Sequence, residues 1–237
     1  MRRSSRELVA RARKPILCMH RVNTRKRLRL AEELGISLIE FDVKARSGRL
    51  VVEHGVSEPP LRSPMAKTVV MWMEREILGE PRTPMDLEEY LSRVSKRFRL
   101  WIDLKVRGFE RELIELLDRY GVREPVIVSS GYYDSLLRIK ELAPWVCTFL
   151  GNVAFYPITN AVALEARADG MSVSIEFVDR ALVERLHRDG LFIAVWTVNS
   201  GEEARELASM GVDVIITDFP DRVAEALGLD PSEDPFL

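Results

Sequence analysis

With 46% hydrophobic residues over 237 positions, the chain has apolar material for a sizeable core, and α/β barrels of this length are routinely single domains. Basic and acidic residues nearly cancel, to a net charge of -2, which leaves no bulk electrostatic case for nucleic acid or a membrane surface as partner. A basic segment (Arg2, Arg3, Arg11, Arg13, Lys14) precedes an apolar run, Ile16 to Met19, that is too short for a secretory leader or a membrane span; the expectation is a cytoplasmic protein with no stable membrane insertion.

In chain order, Ile16–His20 reads as a first strand and Thr24–Leu34 as the helix after it, stopped at Gly35. Ser37–Val43 reads as a second strand, with a hairpin-like continuation from Ser47 to His54. From about 55 to 85 the rhythm breaks: Pro59, Pro60, Pro64, Pro81 and Pro84 punctuate a loop excursion whose centre, Val69 to Leu78, has the spacing of a short amphipathic helix. Regular alternation then resumes. Strands are expected at Leu100–Val106, Pro125–Ser130, Cys147–Gly151, Gly170–Phe177, Phe192–Val198 and Val212–Asp218. Helices are expected at Asp86–Phe98, Phe109–Tyr120, Tyr132–Leu142, Ile158–Arg167, Asp179–Asp189, Glu202–Met210 and Asp221–Leu227. Asp179 and Asp221 suit helix starts, and Gly121, Gly190, Gly211 and Gly228 suit helix stops.

Eight strands each followed by a helix predict an α/β fold of the (β/α)8 TIM-barrel type, one domain over 1–237, with the 55–85 excursion over the active-site face. A doubly wound sheet is the competitor, but no Gly-rich phosphate turn follows the first strand. Cys18 and Cys147 fall in or beside apolar strand-like runs and suit buried free thiols. The absence of Gln and the small number of Asn lean towards a thermophilic source.

Within Ile39-Glu40-Phe41-Asp42-Val43 the strand period of two places Glu40 and Asp42 on one face and the apolar residues on the other. The same period puts Trp101, Asp103 and Lys105 on one face of the third strand, and Ser172, Ser174 and Glu176 on one face of the sixth. In a barrel those polar faces converge inside. Three acids on two adjacent inward faces suit one hard divalent cation, Mg²⁺ or Ca²⁺; the bland alternative is a salt-bridge network with Lys105 and an arginine. His20 and His54 end strands at the same mouth and together suit general acid and base work, whereas His187, mid-helix among charges, reads as structural. Arg21 and Lys105 could hold phosphate oxygens or neutralise the acids, Trp196 could wall the pocket or pack under a helix, and Glu176 is balanced between site and surface.

At these residues the sequence resembles the glycerophosphodiester phosphodiesterase family. The resemblance runs through His20-Arg21, Ile39 to Val43, Leu50 to His54, Ile102 to Lys105, Val195 to Asn199 and Gly211 to Pro220, in the family's order. It implies a metal-dependent barrel that hydrolyses a small-molecule glycerophosphodiester to glycerol phosphate and an alcohol, through attack by a glycerol hydroxyl and a cyclic phosphate. By the same resemblance Glu40, Asp42 and Asp103 bind the metal, His20 and His54 are acid and base, and Arg21 and Lys105 contact phosphate. Val22 stands where the family usually has Gly, the following segment is shortened to Asn23-Thr24, Gly55 replaces a common Asp, and Asp103 replaces a common Glu. A related sphingomyelinase D branch shares the last two changes. Two alternatives stand beside this reading. One is a phospholipase-D-like hydrolase or transferase of lysolipids that uses Met65, Val69, Trp72 and Met73 as a lipid contact; the other is a catalytically silent barrel that binds a phosphorylated ligand.

Overall fold

The computed structural model describes residues 4–12, 15–53, 84–153 and 160–236. In chain order its elements are α1 (Ser5–Arg11), β1 (Ile16–Met19), α2 (Arg25–Glu33), β2 (Leu38–Arg46), β3 (Arg49–Val52), β4 (Met85–Asp86), α3 (Leu87–Val94), β5 (Arg99–Leu104), α4 (Glu110–Tyr120), β6 (Arg123–Ser130), α5 (Tyr133–Leu142), β7 (Cys147–Val153), α6 (Ala161–Glu165), β8 (Gly170–Ser174), α7 (Arg180–Arg188), β9 (Phe192–Trp196), α8 (Gly201–Met210), β10 (Val214–Thr217) and α9 (Pro220–Leu227). β1, β2 and β5 to β10 run parallel in sequence order, and the Met19–Ile39 pairing joins the first to the second, so the sheet closes on itself. The eight strands expected from the sequence are the eight strands of a closed (β/α)8 barrel.

Period two sorts each strand's side chains. The outward set, including Ile39, Phe41, Val43, Ile102 and Leu104 on one side of the molecule and Val173, Ile193, Val195 and Ile215 on the other, is buried against the surrounding helices. The inward set fills the barrel with Ile16, Cys18, Leu38, Trp101, Phe149 and their neighbours. Phe149 lies 4.8 Å from Trp101, centroid to centroid, and leaves no room opposite: a Cβ on Gly170 would come within 2.5 Å of its ring. Both cysteines are free and buried, as their strand positions suggest, and burial pushes both thiols up.

The local signals for helix ends act as expected at several places. Asp179 caps α7 by accepting the Leu182 N–H at 2.7 Å, and Gly121, Gly211 and Gly228 end α4, α8 and α9 in left-handed backbone. The hairpin also forms: β2 overshoots the barrel and pairs antiparallel with β3, which pairs in turn with β4. Residues 54–83 of the excursion, with Met65, Val69, Trp72 and Met73, lie outside the described residues, as does Ile158 at the start of its expected helix.

Several element ends differ from the sequence reading, α3 stopping at Val94 rather than Phe98 and β9 at Trp196 rather than Val198, and two further differences bear on packing and the site. Ser5–Arg11 is a helix, although it reads in sequence only as basic. It buries just Ser5 and Val9, too few positions to show a period, and is held by tertiary bonds: the Ser5 N–H donates to Trp145 O at 2.8 Å and the Val126 N–H to Ser5 Oγ at 3.0 Å. The sixth barrel strand, expected to reach Phe177, stops at Ser174, and Ile175–Phe177 form one 3₁₀ turn. A run of β-branched and aromatic residues does not register that its neighbour β9 ends its ladder at Trp196, opposite Ser174.

Candidate active site at the C-terminal mouth of the barrel

The strand register assembles the acids. Asp42 on β2 pairs directly with Asp103 on β5, and Glu40 enters from two residues lower on the same inward face. One ligand oxygen from each of Glu40, Asp42 and Asp103 falls within 4.8 Å of the others. Lys105 reaches back over them, with its Nζ 3.4 Å from Asp42 Oδ1 and hydrogen-bonded to Asp103 Oδ2. Asp103 Oδ1 is buried with no hydrogen-bond partner among the described residues. His20, Arg21, Trp196 and Ser172 join these four residues around a cavity of about 300 Å³.

Burial sets the electrostatics. It pushes the Glu40 carboxyl well up, and the nearby charges of Asp42 and Asp103 push the same way, against the Arg21 N–H and Lys105. Asp103 is also raised by burial and by Asp42, with Lys105 opposing. Lys105 is half-buried, which works against its charge, yet Asp103 and Asp42 hold its ammonium firmly charged. Three carboxylates face one ammonium, an excess of two negative charges if all ionise. Oxygen-only donors, mutual repulsion and an orphaned carboxylate oxygen fit a hard divalent cation better than a closed salt-bridge network, in which every oxygen would have a partner.

The loop after β1 is part of this assembly. Arg21 adopts a left-handed backbone, φ 53°, which turns its N–H onto Glu40 Oε2 at 2.7 Å. Val22 donates its N–H to Glu40 O at 2.7 Å, is fully buried, and receives the Tyr90 hydroxyl on its own carbonyl. Asn23 then takes hold of Asp42 twice: its Nδ2 donates to Asp42 Oδ2 at 3.1 Å and its Oδ1 accepts the Asp42 N–H at 3.0 Å. Arg21 and Asn23 together clamp two of the three acids.

His20 sits at the mouth with Nε2 3.8 Å from Glu40 Oε2 and Nδ1 3.2 Å from Asp218 Oδ1. Arg21 directs its guanidinium at Asp218, from Nε to Oδ1 at 3.1 Å and from Nη2 to Oδ2 at 2.6 Å. Burial would raise Asp218, but His20 and Arg21 hold its carboxyl well below the usual range. Sequence reading did not single out Asp218 or Asn23, whose signals in hindsight are an acid just past a strand end and a buried amide beside a buried acid.

Trp196 lines the cavity from the end of β9. Glu176 does not: it lies in the 3₁₀ turn beyond β8, exposed and bonded to Ser174, because the strand that would have carried it inward ends two residues earlier. His54 lies outside the described residues, and Glu53 just before it donates its N–H to Asp42 O at 3.2 Å.

The model of the Glycerophosphoryl diester phosphodiesterase family matches residues 85–222. A glycerophosphodiester phosphodiesterase of Bacillus altitudinis is 28% identical over 214 residues, covering 81% of this chain and 86% of its own length. One of Caldanaerobacter subterraneus is 28% identical over 217 residues, covering 84% and 89%. Among solved structures, an Oleispira antarctica phosphodiesterase in complex with the product sn-glycerol-3-phosphate superposes with a TM-score of 0.72 at 24% identity, over 90% of this chain and 97% of that one.

Proposed function

The chain belongs to the glycerophosphoryl diester phosphodiesterase family, and from that premise we propose that it cleaves small glycerophosphodiesters to glycerol phosphate and an alcohol in a divalent-metal-dependent reaction. The observation that carries the metal is the cluster of Glu40, Asp42 and Asp103, three inward carboxylates with the Lys105 ammonium 3.4 Å from Asp42 and hydrogen-bonded to Asp103. A phosphodiester is an anion, and a site with excess negative charge would repel it. Mg²⁺ or Ca²⁺ held by those three acids would cancel the excess and draw charge from the phosphoryl oxygens.

The chain's own groups supply the rest. Lys105 places an ammonium at the mouth, where it can meet a phosphate oxygen as a point charge, and Trp196 forms a wall. Arg21 spends two of its donors on Asp218 and keeps the others for phosphate. In the first step the glycerol hydroxyl next to the phosphoester attacks phosphorus; its proton passes to one histidine, and the departing alkoxide takes a proton from the other. The P–O bond to the alcohol breaks as the cyclic ester forms. Water then opens the ring with the two proton transfers reversed. His20 offers Nε2 for one of these roles, and His54 is the proposed partner.

The test is a product assay on glycerophosphocholine, glycerophosphoethanolamine and a lysolipid, with EDTA and with Mg²⁺ or Ca²⁺ restored. Glycerol phosphate should form from the first two substrates, cease in EDTA and return with metal; turnover indifferent to EDTA overturns the metal, and cleavage confined to the lysolipid moves the substrate to lipid. His20→Ala and His54→Ala should each lower the rate by roughly 10²-fold or more.

A further inference from the structure

We propose that Asp218 is a positioning residue that fixes the tautomer of His20, keeping the proton on Nδ1 so that Nε2 is the nitrogen that faces the reacting atoms. The inference rests on the phosphodiesterase reading of His20. Asp218 follows β10, the strand beside β1 in the closed barrel, so residues 198 apart in sequence meet at the mouth. The two ring nitrogens face different groups, Nδ1 towards Asp218 Oδ1 at 3.2 Å and Nε2 towards the Glu40 side of the cavity. An ionised carboxylate only accepts hydrogen bonds. A neutral imidazole beside Asp218 therefore donates from Nδ1, and its lone pair is left on Nε2.

The carboxylate is itself fixed by two further side chains. Arg21 takes both oxygens, and Asn199 Nδ2 donates to Oδ2 at 3.2 Å. The orientation of that amide is not free: Asn199 Oδ1 accepts the Asp218 N–H at 3.0 Å and the Thr217 hydroxyl at 3.2 Å, so the NH₂ end must point at the carboxylate. Beneath them Arg27 ties the two backbones together, donating from Nη2 to His20 O at 2.7 Å and from Nη1 to Asp218 O at 3.2 Å. An Asp218 that only neutralised Arg21 would need no contact with His20. The contact exists, and it lies on the ring nitrogen turned away from the cavity.

The test is long-range ¹H–¹⁵N NMR of histidine-labelled, metal-free full-length protein at about two pH units above the ordinary imidazole value, with His20 assigned from His20→Ala. His20 should show the Nδ1–H tautomer. In Asp218→Asn the side-chain amide can donate to Nδ1, so His20 should move towards Nε2–H, and kcat should fall by roughly 10²- to 10⁴-fold while KM changes by less than about threefold. Asp218→Glu, which restores a carboxylate, should recover part of the tautomer signal and part of kcat. An Nε2–H tautomer in the parent protein overturns the proposal even if Asp218→Asn does not fold, and so does Asp218→Asn with parental kcat. Parental activity in His20→Ala would instead overturn the phosphodiesterase role of His20 and leave the tautomer measurement to stand alone.

Discussion

Acids are buried at both ends of this barrel, and the two ends treat them in opposite ways. At the N-terminal end each one is answered. Asp169 accepts the Thr148 N–H at 2.8 Å and pairs with Lys140 and Arg6; Asp213 accepts the Ile193 N–H at 2.9 Å and meets His187 Nε2 at 2.9 Å; Asp234 holds Arg99 and Arg123. Each staples a strand to a helix or closes the tail beneath the barrel. At the C-terminal end Glu40, Asp42 and Asp103 crowd around one lysine, with a buried oxygen left over. The same side chains make stability where they are neutralised and a charge deficit where they are not, and a barrel keeps its chemistry at the second kind of end.

Glu40→Gln tests this contrast with the largest expected effect. It removes one proposed metal ligand, so activity should fall by at least about 10²-fold, the loss of several kcal/mol of electrostatic stabilisation. The apo protein should be no less stable for it, because a repelling charge has gone. Saturating Mg²⁺ or Ca²⁺ at about 100 times Kd should stabilise the parent by about 2.7 kcal/mol, or roughly 5–10 °C in Tm, and the variant by far less. A Glu40 that was merely structural would behave the other way, with lost stability and retained activity.

Asp213→Asn is the counterpart at the other end. Loss of a charged acceptor shared by His187 and the Ile193 N–H should lower stability by about 2 kcal/mol, roughly 4–8 °C in Tm, with kcat close to the parent's. A thermal melt and one activity assay decide it; a large fall in kcat at unchanged Tm would erase the distinction between the ends.

The smallest effect is in the pH dependence. Glu40 and Asp103 are raised in the folded state by burial and by their neighbours, so they bind protons more tightly folded than unfolded. What they contribute to stability is therefore fully present below the ordinary carboxylate value of about 4 and is lost as pH rises through their folded values. In EDTA the stability gap between Glu40→Gln and the parent should widen in the variant's favour from about pH 4 upward, read as urea midpoints; a gap that narrows instead gives the acids the wrong sign.

Much of this was legible in the chain. Alternation along Leu38 to Val43 and Trp101 to Lys105 separates inward from outward side chains without any structure, because a strand's period is local geometry. Glu40, Asp42, Asp103, Lys105, His20 and Trp196 meet at one mouth because such positions lie near the C-terminal ends of strands that must run parallel. Glu176 escaped the pattern because its strand ended early, and α1 had too few buried positions to show a period. Asn23 and Asp218 were invisible for another reason: each acts on a group 19 or 198 residues away, and a polar residue at a loop start carries no mark of its distant partner.

By itself the sequence determined the eight barrel strands and the face most of their side chains take, which follow from local periods and residue chemistry, while the family was legible only as a resemblance of its motifs. Only closure of the sheet decided that β10 lies against β1, that Asp218 grips His20 and Arg21, and that Asp42 stands level with Asp103. Those facts depend on register and on which edges meet, and they are settled by packing the whole barrel at once.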